Sequence, residues 1–347
     1  MPQQDDARAP RDADAAERAL LLRLSGGPVS GDVLAREAGL TRAAVWKRIG
    51  ALRAAGVAIG ASPGRGYVLE RPVDLLDAAV IASALPAAVR DGIHGPEVAW
   101  SIDSTNSELL RRQTPATGVA VLLAERQTGG RGRLGREWNS PLAANLYLSL
   151  ARAFDGGLAR LGGLGLVAGV AAAEALHGLG YGDVGLKWPN DLVVADGSAL
   201  RKLGGLLVEG GGEHAGPVRA VLGLGLNVRM PEAAGAGIDQ PWCDLTTLAR
   251  GCPQPPHSRN ALAAALVARL VPALEEFDRE GLAPFQGRYA ALDVLAGRPV
   301  EVRTGKDVHA GIAGGLAADG ALRVSIDGVE RQFHAGEASL RARRVAA

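Results

Sequence analysis

The sequence is poor in cysteine. It has two, Cys243 and Cys252, and no Cys-x-x-Cys pair. A disulfide framework and a thiolate zinc site are both unsupported, and two ordinary thiols in a reducing compartment are the plain reading. Long apolar runs are also missing. The longest, Leu164 to Leu176, carries Glu174 and falls short of a membrane span. Residues 1–15 are charged and rich in Pro and Ala, with no apolar core. They read as a disordered tail and not as a secretion signal, which leaves the cytoplasm as the expected location. A large charge imbalance is absent too. The net charge is +1, so any binding of phosphate or nucleic acid must come from local clusters of Arg and Lys. What is present is an ordinary globular composition, 47% hydrophobic and 22% charged, in 347 residues. That length suggests two or three domains, each able to bury a core.

Three textures follow the tail. In residues 16–75, Ala19, Leu22 and Leu24 begin an apolar helical face. Ser30 is placed to cap a helix from Gly31 to Ala38, with Gly39 ending it. Thr41 is placed to cap another that runs to about Ala55, with Gly56 as its stop. Val45, Ile49 and Leu52 share one face of that last helix, and Ala43, Trp46, Lys47 and Gly50 share the other. Two strand-like pieces, Val57–Gly60 and Tyr67–Leu69, flank a basic tip at Pro63–Gly66. The pattern is a winged helix-turn-helix. Residues 76–285 alternate candidate helices (Ser107–Arg112, Ala159–Leu179, Arg259–Glu280) with buried strand-like runs (Val119–Glu125, Leu146–Ala151, Gly185–Trp188, Gly205–Val208, Val218–Leu224). They predict an α+β domain on one sheet. Residues 286–347 read as short strands with Asp-Gly turns, the pattern of a small closed β-barrel.

Chemistry concentrates in four segments. The first, Gly129–Trp138, holds four glycines and Arg131, Arg133 and Arg136. Bare backbone amides and forked guanidinium donors suit phosphate or carboxylate, and such a loop should stay mobile until an anion orders it. Gly130-x-Gly132-x-x-Gly135 also matches the dinucleotide fingerprint, but that turn must open a helix, and here Pro141 and another strand follow. A solvated hairpin with chance arginines is the plainer alternative. The second segment is Lys187-Trp188-Pro189-Asn190-Asp191. It presents Lys187 from a stiff strand end, with Asn190 and Asp191 as candidate Mg²⁺ ligands. A surface β-turn explains it equally well. In the third, Asp103–Glu108, Thr105 and Glu108 form a predicted capping box that also offers hydroxyls and amides to a polar ligand. The fourth, Gly223–Asn227, looks like a strand end where backbone meets a ligand.

In this order, the four segments resemble the biotin protein ligase family. Its signature is a Gly-Arg-Gly-Arg-x-Gly-Arg-x-Trp loop followed by a Lys-Trp-Pro-Asn-Asp turn. Both are present, at Gly130–Trp138 and Lys187–Asp191, with Arg201–Gly205 downstream. The resemblance covers nearly the whole chain and points to the bifunctional ligase/biotin-operon repressor subgroup. It implies an α+β architecture: an N-terminal winged helix-turn-helix, a central class II synthetase-like mixed sheet with helices, and a C-terminal SH3-like barrel.

The implied activity joins biotin to ATP as biotinyl-AMP and passes biotin to a lysine of a biotin carboxyl carrier protein, with Mg²⁺ accompanying ATP. The resemblance implies Lys187 and Arg133 as catalytic. Ser104, Thr105, Asn106, Gln127, Gly130, Arg131, Arg133, Lys187 and Gly204 are then the biotin residues. Arg131, Arg133, Arg136, Trp138, Asn190 and Asn227 are the nucleotide and adenylate residues. Operator DNA is expected on Arg42, Ala43, Trp46, Lys47 and Arg65, read by a homodimer that forms when the adenylate is bound. Two other functions remain open from the residues: a lipoate or octanoyl ligase, and a regulator that senses a ligand without ligating it.

Overall fold

A computed structural model describes residues 8–62, 64–155, 157–197, 199–212, 218–250, 257–335 and 338–342. Three helices open the chain: α1 (Arg8–Ser25), α2 (Gly31–Glu37) and α3 (Arg42–Ala54). The Ser30 and Thr41 hydroxyls accept from the backbone N–H of Val33 and Ala44, as N-caps should. Gly39 and Gly56 take φ of +64° and +101° at the helix ends, a region that suits glycine. Helix α1 begins inside the stretch read as a tail, whose Ala and Arg are good helix formers. Residues 1–7 lie outside the described residues. The buried face of α1 is Leu20, Leu21 and Leu24, while Leu22, expected inside, is exposed. These leucines close a small core with Val45, Ile49 and Leu52. The hairpin pairs β1 (Ile59–Ser62) with β2 (Gly66–Leu69), two residues later than predicted for its first strand. Pro63 of its tip lies outside the described residues.

The central region contains α4 (Ala78–Ala84), α5 (Ala87–Asp91), β3 (Ile93–Ile102), α6 (Thr105–Arg111), β4 (Val119–Gln127) and β5 (Leu146–Phe154). It continues with α7 (Leu164–Gly178), β6 (Val184–Lys187), β7 (Asp191–Asp196), β8 (Ala199–Gly212) and β9 (Val218–Leu226). Helices α8 (Glu232–Gly235), α9 (Leu245–Leu248), α10 (Arg259–Glu280) and α11 (Ala283–Leu292) complete it. Seven strands form one mixed sheet in the order β3-β4-β5-β9-β8-β7-β6, with β3 and β4 parallel and the other neighbours antiparallel. The predicted helix from Ala159 starts only at Leu164, because Gly163 sits at φ +88° and a separate 3₁₀ turn precedes it. Helices α7 and α10 pack on one sheet face and on each other, burying Val167, Val170, Leu266 and Leu270. Helix α6 lies on the opposite face, over Leu122, Ala151 and Val221.

The C-terminal strands β10 (Pro299–Thr304), β11 (Asp307–Leu316), β12 (Leu322–Ile326), β13 (Val329–Phe333) and β14 (Ala338–Ala342) form an antiparallel sheet in the order β13-β12-β11-β10-β14. Among the described residues β13 and β14 stand at the two ends of this order. A register shift between Ala313 and Leu316 marks a bulge in β11. Val300, Val302 and Val324 of the sheet are buried in the main core.

Two features lock the first unit to the second. The Leu142 N–H donates to Ala55 O at 2.8 Å, and Leu142 is buried in the helix-turn-helix core. Nearby, Glu125 and Arg259 form an ion pair of 2.7 Å, each side chain 3% exposed. Glu125 also accepts from the Leu76 N–H, and Arg259 donates to the carbonyls of Asp74 and Asn145. The connecting segment is thus clamped to the sheet. Removing one partner would leave a buried charge uncompensated. Arg259→Ala is expected to destabilise the protein by about 3–5 kcal/mol, measured by urea unfolding.

Candidate active site

On the sheet face that carries α6, β8 and β9 place glycines next to the cavity. Gly205 on β8 and Gly223 and Gly225 on β9 line a cavity with Tyr147 and Leu207. Two larger side chains fill what those glycines leave open. A Cβ at Gly225 would lie 2.4 Å from the Trp138 indole, and one at Gly223 would lie 2.4 Å from Asn106 Oδ1. Glycine is required at both positions, since backbone and ring approach closer than any side chain permits.

The glycine loop folds over this face as a narrow hairpin. Arg131 and Glu137 form an isolated β-bridge, Gly132 N–H donates to Arg136 O at 2.7 Å, and Trp138 N–H donates to Gly130 O at 2.9 Å. Leu134 (φ +56°) and Gly135 (φ +70°) make the left-handed turn at its tip. Arg131 Nη2 reaches Glu209 at 3.1 Å. Arg133 donates to Asn190 Oδ1 at 3.4 Å and to the Ala335 carbonyl, so the loop touches the C-terminal sheet. Burial, together with the nearby Arg136 charge, outweighs the attraction of Asp191 and lowers the pKa of the Arg133 guanidinium.

Opposite the loop, the Asp191 carboxylate lies between two ammonium groups, Lys202 Nζ at 2.6 Å and Lys187 Nζ at 3.4 Å. Burial alone would raise this carboxyl. The charges of Lys202 and Lys187 outweigh it and hold Asp191 below the usual carboxylate range. The Lys202 ammonium also sits 5.5 Å from the Trp138 ring centre, within cation–π range. The cavity is therefore lined by five cationic side chains (Arg131, Arg133, Arg136, Lys187, Lys202) against two carboxylates, Glu137 and Asp191. An excess of positive charge in a partly closed space suits a ligand pair with more than one negative charge.

The polar end of the cavity is a closed network. Gln127 Oε1 accepts from Thr105 N–H and Thr105 Oγ1 at 2.9 and 3.1 Å, and Gln127 Nε2 donates to Ser140 Oγ. Ser149 Oγ lies 2.7 Å from Thr105 Oγ1 and 2.6 Å from Asn106 Oδ1. The cap of α6 is Ser104, one residue before the predicted Thr105, because Thr105 turns its hydroxyl toward Gln127. Glu108 correspondingly pairs with Arg111 and Arg112 instead of closing a capping box.

Of the residues expected in the site, Ser104, Thr105, Asn106, Gln127, Arg131, Arg133, Arg136, Trp138, Lys187, Asn190 and Asp191 line this cavity. Gly204 does not. A Cβ there would point at Gly225 O and Leu192, away from the cavity, and its neighbour Gly205 forms the wall. Gly130 packs against Trp138 O and Ser140 Oγ. Asn227 lines an adjoining cavity shared with Trp138 and Lys202; its Nδ2 donates to Cys243 O, and its buried Oδ1 has no hydrogen-bond partner among the described residues. Cys243 is a free buried thiol whose pKa burial raises to about 11; Cys252 lies outside the described residues. Asn190 and Asp191 fit Mg²⁺ poorly. Two ammonium groups already neutralise Asp191, Arg133 donates to Asn190 Oδ1, and no cluster of three His, Cys, Asp or Glu residues occurs among the described residues. Lys202 and Glu209 went unassigned in the sequence. Lys202 stands in the quoted Arg201–Gly205 segment, and only the β7–β8 pairing brings it beside Asp191.

The profile of the biotin/lipoate A/B protein ligase family matches residues 98–227, a helix-turn-helix profile matches 17–68, and the biotin protein ligase C-terminal domain matches 296–341. The bifunctional ligase/repressor BirA of Salmonella typhimurium is 41% identical over 312 residues, covering 90% of this chain and 93% of the relative. The chain belongs to the biotin protein ligase family, in its bifunctional ligase/repressor branch. The Escherichia coli BirA protein is 39% identical over 90% of this chain and 92% of its own. A biotin protein ligase from Aquifex aeolicus, solved with biotin and ATP, shares the fold with a TM-score of 0.57 at 24% identity, over 71% of this chain and 98% of that one.

Within this biotin protein ligase fold, Asp191 makes a pH prediction possible. Its folded pKa lies below the unfolded value, so its ion pairs contribute fully above about pH 4–5 and are lost as pH falls through the folded value. Asp191→Asn is expected to lower the thermal midpoint at pH 7. The gap to wild type should stay constant down to about pH 5 and close below about pH 4.

Proposed function

We propose that this chain activates biotin with ATP as biotinyl-AMP, releasing pyrophosphate, and transfers the biotin to a lysine of a biotin carboxyl carrier protein. The observation that carries this is the cationic excess around one cavity with a sheltered polar end. The biotin carboxylate and the α-phosphate repel each other in water. Lys187, Arg131 and Arg133 offset both charges and hold the carboxylate in line with phosphorus. The carboxylate is itself the nucleophile, so no side-chain nucleophile is needed. Lys202, fixed by Asp191 and stacked near Trp138, adds a further positive charge. Ser104, Thr105, Asn106 and Gln127 form the end for the ureido ring, and Trp138 with Asn227 the side for the adenine. The glycine loop, closed over the mixed anhydride, keeps water from it until the carrier amine attacks the acyl carbon and AMP leaves. ATP and carrier substrate place this work in the cytoplasm. Among the described residues no helix is long and apolar enough to cross a membrane.

A second role rests on the first domain. Ala43, Trp46 (67% exposed) and Lys47 stand on the outer face of α3, with Arg42 at its start and Arg65 on the hairpin. That is the presentation a major-groove helix and a phosphate-contacting wing require. Operator half-sites are then read by a homodimer whose surface the ordered glycine loop completes.

Incubation with carrier domain, biotin and ATP should give a streptavidin-reactive carrier band that excess lipoate leaves unchanged; no band would refute the ligase reading. Lys187→Ala should slow biotin-dependent ATP–pyrophosphate exchange by about 10²–10³-fold. Sedimentation should show more dimer with biotinyl-AMP than without, and equal dimer in both would refute the switch.

A further inference from the structure

Glu209 joins two parts of the site that are far apart in the sequence. It lies on β8, paired across to Val221 on β9, which holds its backbone on that side. One carboxylate oxygen accepts from Asn106 Nδ2 at 2.8 Å, and the other accepts from Arg131 Nη2 at 3.1 Å. Asn106 cannot turn away. Its Oδ1 accepts from Ser149 Oγ, its Nδ2 also reaches the Leu207 carbonyl, and it fills the space that Gly223 leaves. A carboxylate with one oxygen fixed in this way presents the other in a set direction. Both contacts to Arg131 engage Nη2 alone, which leaves the remaining guanidinium donors for a ligand.

We propose that Glu209 is a positioning residue, a strut that ties Arg131 of the glycine loop to Asn106 at the start of α6 and so sets where Arg131 meets the reacting anions. The proposal rests on the adenylation reading above. Glu209 could instead be a stand-in anion that occupies Arg131 until the ligand displaces it. The two roles predict opposite signs. Deleting a competing anion strengthens ligand binding, and deleting a strut weakens it. The placement favours the strut, because Arg131 and Asn106 line the cavity and Glu209 stands behind them, outside its lining.

The test is biotin-dependent ATP–pyrophosphate exchange by the full chain. Glu209→Gln keeps an acceptor for Asn106 and loses the charge that holds Arg131. It should lower kcat/KM for biotin by about tenfold or more with an unchanged thermal midpoint. In an Arg131→Ala background the same change should cost nothing further, as expected for residues acting as one unit. Glu209→Asp, too short to reach both partners well, should fall between wild type and Glu209→Gln. If Glu209→Gln does not fold, the Asp variant carries the test alone. Wild-type or improved kcat/KM in the foldable variant, or a full additional loss in the Arg131→Ala background, would overturn the strut. A wild-type chain with no exchange activity would instead sink the adenylation reading.

Discussion

Joining two anions requires a cavity whose positive charge exceeds what its own carboxylates cancel, and the structure arranges this by pairing its acids with cations on rigid elements. Asp191 sits between Lys187 and Lys202, and Glu209 holds Arg131. Each acid cancels part of the positive field and also ties a cation in place. The net positive excess survives because there are more cations than acids to restrain them.

That arrangement depends in turn on three glycines of one sheet face, Gly205, Gly223 and Gly225. The floor between β8 and β9 is glycine at three positions lining the cavity, so backbone carries the wall and the bulk comes from elsewhere. Trp138, at the exit of the glycine loop, and Asn106, at the entry of α6, each enter a space where a Cβ would have stood. The loop's closed form is therefore fixed at its base by packing, whatever its tip does. The pattern accounts for Gly205, Gly223 and Gly225 in strands that otherwise bury leucine and valine.

Much of this was legible from local chemistry. The caps at Ser30 and Thr41, the stops at Gly39 and Gly56, and the face of Val45, Ile49 and Leu52 are short-range signals, and they appear where the spacing placed them. The arginine-glycine loop and the Lys187–Asp191 turn were legible because unusual residue types stand close together. What escaped was long-range. Strand β3, the extent of β8 and the partnership of Lys202 with Asp191 are set by pairing between strands, which no local window contains. Thr105 looked like a cap because Ser/Thr-x-x-Glu is a cap pattern, and tertiary contact with Gln127 took its hydroxyl elsewhere. Gly204 and Gly205 are adjacent, so only the alternation of the strand decides which one faces the cavity.

The seam between the first and second units does not follow the chain. Leu142, four residues past Trp138, lies in the apolar interior of the helix-turn-helix, with its amide on the Ala55 carbonyl at the end of α3. A residue nearly seventy positions beyond the sequence boundary thus belongs by packing to the smaller body. The border between reading head and workshop is a surface of shared side chains, and cutting the chain at any one peptide bond would leave one body with an orphaned wall.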